Sequence, residues 1–136
     1  MTFIGPFEDR LAIRELYSRY GDASTRGDLA DWLACWTEDG QWNTHFFNRS
    51  GKDDLRAQWN ACWVDFDKVV FLGDVSAIDV KGDTAAVRAI AQESIRLKSG
   101  GLYRLSGRYE DLLVRKNGAW LFARRDYQPL IEELPA

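Results

Sequence analysis

The chain has 136 residues and a formal net charge of -3, which suits one domain and disfavours a nucleic-acid backbone as partner, because that needs a basic surface. Charged residues (29%) and hydrophobic residues (46%) are ordinary in proportion, but six Trp, five Tyr and seven Phe are an excess of large rings. Such rings either fill a core or line an apolar pocket.

No apolar run approaches the roughly 20 residues of a membrane helix. Met1 to Pro6 lacks the basic start and apolar stretch of a signal peptide, so a cytoplasmic location without membrane contact is expected. Cys35 and Cys62 form no CxxC pair and read as reduced, structural thiols. His45 is the single histidine. A multi-histidine metal site is therefore excluded, no Cys/His/carboxylate cluster replaces it, and neither a metal nor an organic cofactor is expected.

In chain order, Pro6 is a good helix start, and Ile13, Leu16, Tyr17, Tyr20 and Ser24 recur at helical spacing until Gly27 ends the helix. Asp28 reads as the N-cap of a second, short helix with Leu29, Trp32, Leu33 and Trp36 as its apolar stripe, stopped by Gly40. Gln41 to Asn48, rich in aromatics and Thr, reads as a strand. Ser50 and Asp53 form a capping pattern for a third helix that buries Leu55, Trp59 and Trp63. Four strand-like runs follow: Lys68 to Val80, Thr84 to Leu97, Leu102 to Arg115 and Ala119 to Gln128. The turn signals between them are Lys81-Gly82-Asp83, Ser99-Gly100-Gly101 and Asn117-Gly118, the last a strong hairpin signal because both residues tolerate positive φ. Pro129 closes the last strand. Helices ahead of a long antiparallel meander imply a single α+β domain over residues 1–136, with a curved sheet wrapped around the N-terminal helices in the order α-α-β-α-β-β-β-β.

Three segments carry a family resemblance: IRELYSRYGDASTRGDLADWLACWTEDGQW, FLGDVSAIDVKGDTAAVRA and GRYEDLLVRKNGAWLFARR. In order and spacing they resemble the SnoaL-like proteins of the nuclear-transport-factor-2-like superfamily, over about Arg10 to Tyr127. The resemblance implies a cone-shaped sheet, antiparallel or mixed, that encloses a pocket, and a homodimer formed through the open sheet face. Its members include ketosteroid isomerases, scytalone-type dehydratases, polyketide cyclases and dehydrochlorinases, together with non-catalytic small subunits of aromatic-ring dioxygenases. Fold alone therefore does not select a function.

In the dehydratase-like members an Asp on the first helix orients a His on the strand that here reads VVFLGD, and the imidazole takes the proton. The matching positions here are Thr25 and Phe71, or Val70 if the register slips by one, and none of these side chains can act as a base near neutral pH. His45, placed in the first strand, and Tyr20, on the apolar stripe of the first helix, are the replacement catalytic candidates. Tyr20 would polarise a substrate oxygen and His45 would shuttle the proton. Alternation puts Trp42, Thr44 and Phe46 on one strand face and Asn43, His45 and Phe47 on the other, and leaves open which face is the pocket. Asp74 is a second proton-carrying candidate. Tyr17, Thr25, Trp36, Trp42, Trp59, Trp63 and Phe71 are candidate pocket walls. Among the strand arginines Arg88, Arg104, Arg108, Arg124 and Arg125, which are expected on the outer sheet face or paired with Glu93, Glu110 and Asp126, Arg88 is the candidate for an inward carboxylate clamp because Ala86 and Ile90 share its face. The expected function is a cofactor-independent lyase, dehydratase or isomerase for a small apolar, aromatic or polycyclic metabolite. The alternatives are a non-catalytic small-molecule binder or a dioxygenase-type small subunit.

Overall fold

The computed structural model describes residues 2–135. The elements run β1 (Phe3–Ile4), α1 (Phe7–Arg26), α2 (Leu29–Ala34), β2 (Trp36–Asn43), β3 (Asn48–Ser50), α3 (Lys52–Asp65), β4 (Phe66–Lys81), β5 (Thr84–Leu97), β6 (Leu102–Lys116) and β7 (Ala119–Glu133). The strands form one seven-stranded sheet in the order β1-β4-β5-β6-β7-β2-β3. It is antiparallel except where β1 meets β4 and β2 meets β7. This is the α+β architecture with N-terminal helices that the sequence implies, extended by the short strands β1 and β3.

Helix α1 follows its sequence signals. Pro6 precedes it, Glu8 and Asp9 occupy the first turn and Arg26 the last, as the helix dipole favours. Gly27 closes it at φ 68°, a left-handed conformation that a residue with a side chain resists. Its buried face, Ile13, Leu16, Tyr17, Tyr20, Gly21, Ala23 and Ser24, lies against β4 and β7. Gly21 allows the closest approach, since a Cβ there would stand 3.2 Å from the Phe71 ring.

Several boundaries differ from expectation, each for a local reason. Helix α2 stops at Ala34, not beyond Trp36, because the Cys35 carbonyl accepts the Phe122 N–H at 2.8 Å and turns the chain into β2. Strand β2 ends at Asn43 because the Thr44 hydroxyl accepts the N–H groups of Phe46 (2.9 Å) and Phe47 (3.1 Å), a local turn that outcompetes the ladder. The N-cap of α3 is Gly51, and it is Asp54, not Asp53, that receives the Ser50 N–H at 2.9 Å. Strand β7 passes Pro129 and runs to Glu133. Beyond Asp126 it no longer pairs with β2, so the missing proline N–H costs no ladder bond on that side. Asn117 and Gly118 take φ 52° and 78°, as the tight β6–β7 hairpin requires.

Register shifts interrupt the ladders between Val75 and Ala77 in β4 and, on the β6–β7 ladder, between Leu112 and Leu113 and between Ser106 and Gly107. Extra residues at such points bend and twist strands. In β7 the extra residue is Ala123: Leu113 pairs with Phe122, whereas Leu112 pairs with Arg124. Inward-facing residues of β7 therefore run Trp120, Phe122, Arg125, Tyr127; strict alternation from Phe122 would have turned Arg124 and Asp126 inward.

Candidate functional site

One end of the curved sheet, roofed by α2 and α3, encloses a cavity of about 300 Å³. Helix α1 contributes Tyr20 and Ser24, α2 contributes Trp32, and α3 contributes Trp59, Cys62 and Trp63. The β2–β3 hairpin adds Trp42, Phe46 and Phe47, while the sheet floor carries Val69, Phe71, Glu93, Ile95, Leu105, Tyr109 and Tyr127. Small residues next to the floor, where Gly73 pairs with Ala91 and Ala91 with Gly107, leave room for floor side chains: Phe71 packs against Gly73 and Tyr127 against Gly107.

Of the residues singled out from sequence, Tyr20, Trp42, Trp59, Trp63 and Phe71 line this cavity. Tyr20 is 2% exposed, and its ring meets those of Trp32, Trp36, Phe71 and Phe122 at centroid distances of 5.4–6.2 Å. Burial pushes its phenol up to about 12, so it holds its proton at neutral pH.

The others lie elsewhere. His45 sits at the exposed tip of the β2–β3 hairpin, stacked on Phe46 at 3.7 Å and outside the cavity lining, because the Thr44 turn ends the strand before it. Trp36 and Tyr17 are buried behind the cavity wall. Thr25 is exposed, and its hydroxyl accepts the backbone N–H of Phe71 at 3.0 Å. The two positions that the resemblance pairs are thus adjacent, joined by a structural hydrogen bond with no proton chemistry. Arg88 is exposed on the outer face with Ala86 and Ile90, since on β5 it is Ala85, Val87, Ala89 and Ala91 that face in. Asp74 is also on the outer face, 3.5 Å from Arg14.

Two charged groups that sequence reading placed outside are inside. Arg125 is 1% exposed. Its Nε and Nη2 donate to the two carboxylate oxygens of Asp111, each at 3.0 Å, and Asp111 also accepts a hydrogen bond from the Tyr17 hydroxyl. The guanidinium lies 3.7 Å from the Tyr109 ring centre and 4.5 Å from that of Tyr20. Burial works against its charge, and Asp111 with the surrounding tyrosines more than offsets this, so Arg125 stays protonated.

Glu93 continues the inward stripe of β5 and enters the cavity wall between aromatic rings. Phe71 is its direct cross-strand partner on β4 and Leu105 on β6. Protein surrounds the carboxylate, yet the cavity leaves it partial contact with water, so its exposure is intermediate. Burial raises its pKa to about 7, and the charge of Arg125 pulls it back only in part. A carboxyl group so tuned is half ionised near neutrality, the condition for taking a proton and giving it back. Period-two alternation from Ala85 through Ala91 was the signal in the sequence that could have found it.

The SnoaL-like domain family matches residues 6–126. The chain belongs to the SnoaL-like family. Among curated proteins none matches the sequence. A candidate scytalone dehydratase from Novosphingobium aromaticivorans is similar in structure at a TM-score of 0.87 and 20% identity, covering 95% of this chain and 89% of that one. A candidate aromatic ring hydroxylase from the same organism reaches 0.89 at 24% identity, with 96% and 95% covered. The type 2 hexachlorocyclohexane dehydrochlorinase LinA reaches 0.85 at 16% identity, with 95% and 90% covered. At these identities the likenesses show the shared fold.

Glu93 also makes a pH-dependent contribution to stability. Its folded pKa of about 7 lies above the ordinary 4.5 of a glutamate, so between these values the native state keeps a proton that the unfolded chain has released. The stability this confers is complete below about pH 4.5 and is lost, at roughly 1.4 kcal/mol per pH unit, as pH rises to about 7. Glu93→Gln should therefore become progressively more stable than the wild type across that window, with a constant gap above it, in urea melts at a series of pH values. Parallel curves would show that Glu93 titrates normally.

Proposed function

We propose that this SnoaL-like domain is an acid–base enzyme of the lyase or isomerase type. In this reading Glu93 removes a proton from a small, flat, apolar molecule held in the aromatic cavity and returns it at another atom. One observation carries the proposal: the cavity's single carboxylate among the described residues lies directly across the β4–β5 ladder from Phe71, the position at which dehydratase-like relatives are expected to carry their histidine. Directly opposed residues have Cβ atoms about 5 Å apart. Glu93 can therefore reach the part of the cavity that a side chain at position 71 would reach, and its proton affinity is tuned to the same range as an imidazole. Tyr20 stands in the same cavity as a protonated phenol, and the rings of Trp42, Trp59 and Trp63 favour a planar guest.

The testing reaction is exchange of the acidic carbon-bound protons of 2-tetralone in deuterated water, followed by NMR. The wild type should accelerate exchange, and Glu93→Gln should reduce the acceleration by about 10² or more while ligand binding persists. His45→Ala should leave exchange unchanged. A Glu93→Gln variant that exchanges as fast as the wild type would remove Glu93 from the mechanism. A second reading, a binding protein without turnover, is favoured by the loss of the Asp and His at positions 25 and 71; it predicts binding with no exchange by either protein.

The outer sheet face is proposed to be covered by a second copy of the chain. Leu72, Ile90, Leu130 and Ile131 are each 56–66% exposed and border one shallow hollow, an apolar strip of the kind that association hides. Light scattering should give twice the mass of 15.6 kDa for the wild type and the monomer mass for Ile90→Lys. A monomeric wild type at micromolar concentration contradicts the proposal.

A further inference from the structure

Two carboxylates, Asp111 and Glu93, face the interior of the curved sheet. Asp111 comes with its own cation. Arg125 binds it through two hydrogen bonds, and the guanidinium is covered by the rings of Tyr109 (3.7 Å), Phe122 (4.4 Å), Tyr20 (4.5 Å) and Tyr17 (5.1 Å). The fold thus already seats one organic cation between a carboxylate and a set of aromatic rings, the setting in which a buried cation is best compensated for its lost water.

Glu93 has similar surroundings without the cation. Twelve of the twenty residues that line the cavity are aromatic, Tyr20 and Tyr109 among them, and none is Lys, Arg or His. Among the described residues, no side chain hydrogen-bonds or ion-pairs with the Glu93 carboxylate; burial and the more distant charge of Arg125 set its proton affinity. Arg125 does not serve as its partner, because Asp111 already holds that guanidinium in a two-pronged pair. Glu93 keeps partial exposure to the cavity, so a guest can touch it.

An anion left alone among apolar groups is costly, and without a counter-charge it takes up a proton instead. A positively charged guest removes that cost. The carboxylate supplies the opposite charge, and the rings supply the negative potential of their π-faces. Tryptophan is the best ring for this purpose. Trp42, Trp32, Trp59 and Trp63 form one continuous row in the wall, with successive ring centroids 5.2, 4.9 and 5.7 Å apart.

We infer that the guest of this cavity carries a positively charged nitrogen, protonated or quaternary, on its flat apolar skeleton, and that Glu93 with the tryptophan row is the subsite that selects the charge. The inference names the ligand class of the cavity proposed above; it rests on that cavity being the ligand site but not on turnover. The titratable groups that face Glu93 are Tyr20 on α1, Cys62 on α3, Tyr103 and Tyr109 on β6, and Arg125 and Tyr127 on β7. Burial raises the phenols and the thiol, and Arg125 stays charged. Between about pH 5.5 and 8.5, Glu93 alone among these groups changes its charge.

The test compares N-methylquinolinium, a fixed cation, with 1-methylnaphthalene, the neutral molecule of the same shape. Each is titrated with the wild type and with Glu93→Gln, and binding is read from the NMR shift of the probe methyl group, which the ring currents of the wall move. At about pH 8.5 the variant should bind the cation about tenfold or more weakly than the wild type and the neutral probe within about twofold, which also shows that it folds. In the wild type, cation affinity should fall by a similar factor as the pH drops to about 5.5, because protonation removes the charge of Glu93; the variant should show no such fall. Equal losses for both probes, a cation affinity that Glu93→Gln leaves unchanged, or a fall with pH that persists in the variant would overturn the inference while leaving the cavity reading intact. Failure of the wild type to bind either probe would overturn both. A selective cation site in a protein that does not exchange the protons of 2-tetralone would support the inference and remove the catalytic reading alone.

Discussion

The extra residue at Ala123 sets the phase of β7, and the polar character of the interior depends on that phase. With it, Arg125 and Tyr127 face inward and Arg124 and Asp126 face out. Arg125 then meets Asp111, its cross-strand partner on β6, through two parallel hydrogen bonds in a setting that excludes water. Burying such a pair gains little net stability, but breaking it by removing one partner strands a charge and costs several kcal/mol. The ion pair thus works mainly as a register lock. Its satisfaction requires Tyr17 of α1 to reach Asp111 and Tyr109 and Tyr20 to cover the guanidinium, so it ties α1, β6 and β7 to one arrangement.

That lock also shapes the cavity. Tyr109 and Tyr127 form a cross-strand pair one step from the ion pair, and the missing side chain at Gly107 leaves room for the Tyr127 phenol. Beyond them, Glu93 is far enough from Arg125 to escape a salt bridge and near enough to feel its charge. Burial without a direct partner leaves a carboxyl that can exist in either protonation state at neutral pH, whereas a paired one would be fixed as an anion. The enclosure that raises Glu93 is aromatic on nearly every side, which ties the size and flatness of the guest to the chemistry of the wall.

Much of the fold was legible because local signals agreed with tertiary structure. Pro6 and Gly27 bracket α1, Asp28 caps α2 with its side chain on the Asp31 N–H, and Asn117-Gly118 forms the hairpin it announces. The site was legible only where a residue sits on a regular element: Tyr20 on the helical stripe, Trp59 and Trp63 on α3. His45 was misplaced because a single threonine hydroxyl ended β2 two residues before it. Arg125 and Tyr127 were out of reach because nothing in the sequence marks the extra residue that inverts alternation after Phe122. Glu93 was different. The alternation of β5 puts it inside, but a charged residue on a strand rich in outward arginines invited an outer pairing, and only the enclosed cavity shows why a carboxylate is tolerated there.

The central claim is that this cavity holds a carboxyl group able to exchange a proton near neutrality. The most direct measurement is an NMR titration of glutamate side chains labelled with ¹³C at the carboxyl carbon, with the Glu93 signal assigned by its loss in Glu93→Gln. A Glu93 midpoint at about 7 is the result this account predicts. A Glu93 midpoint near the ordinary 4.5 of a glutamate would contradict it and leave the cavity as a binding site without an acid–base group.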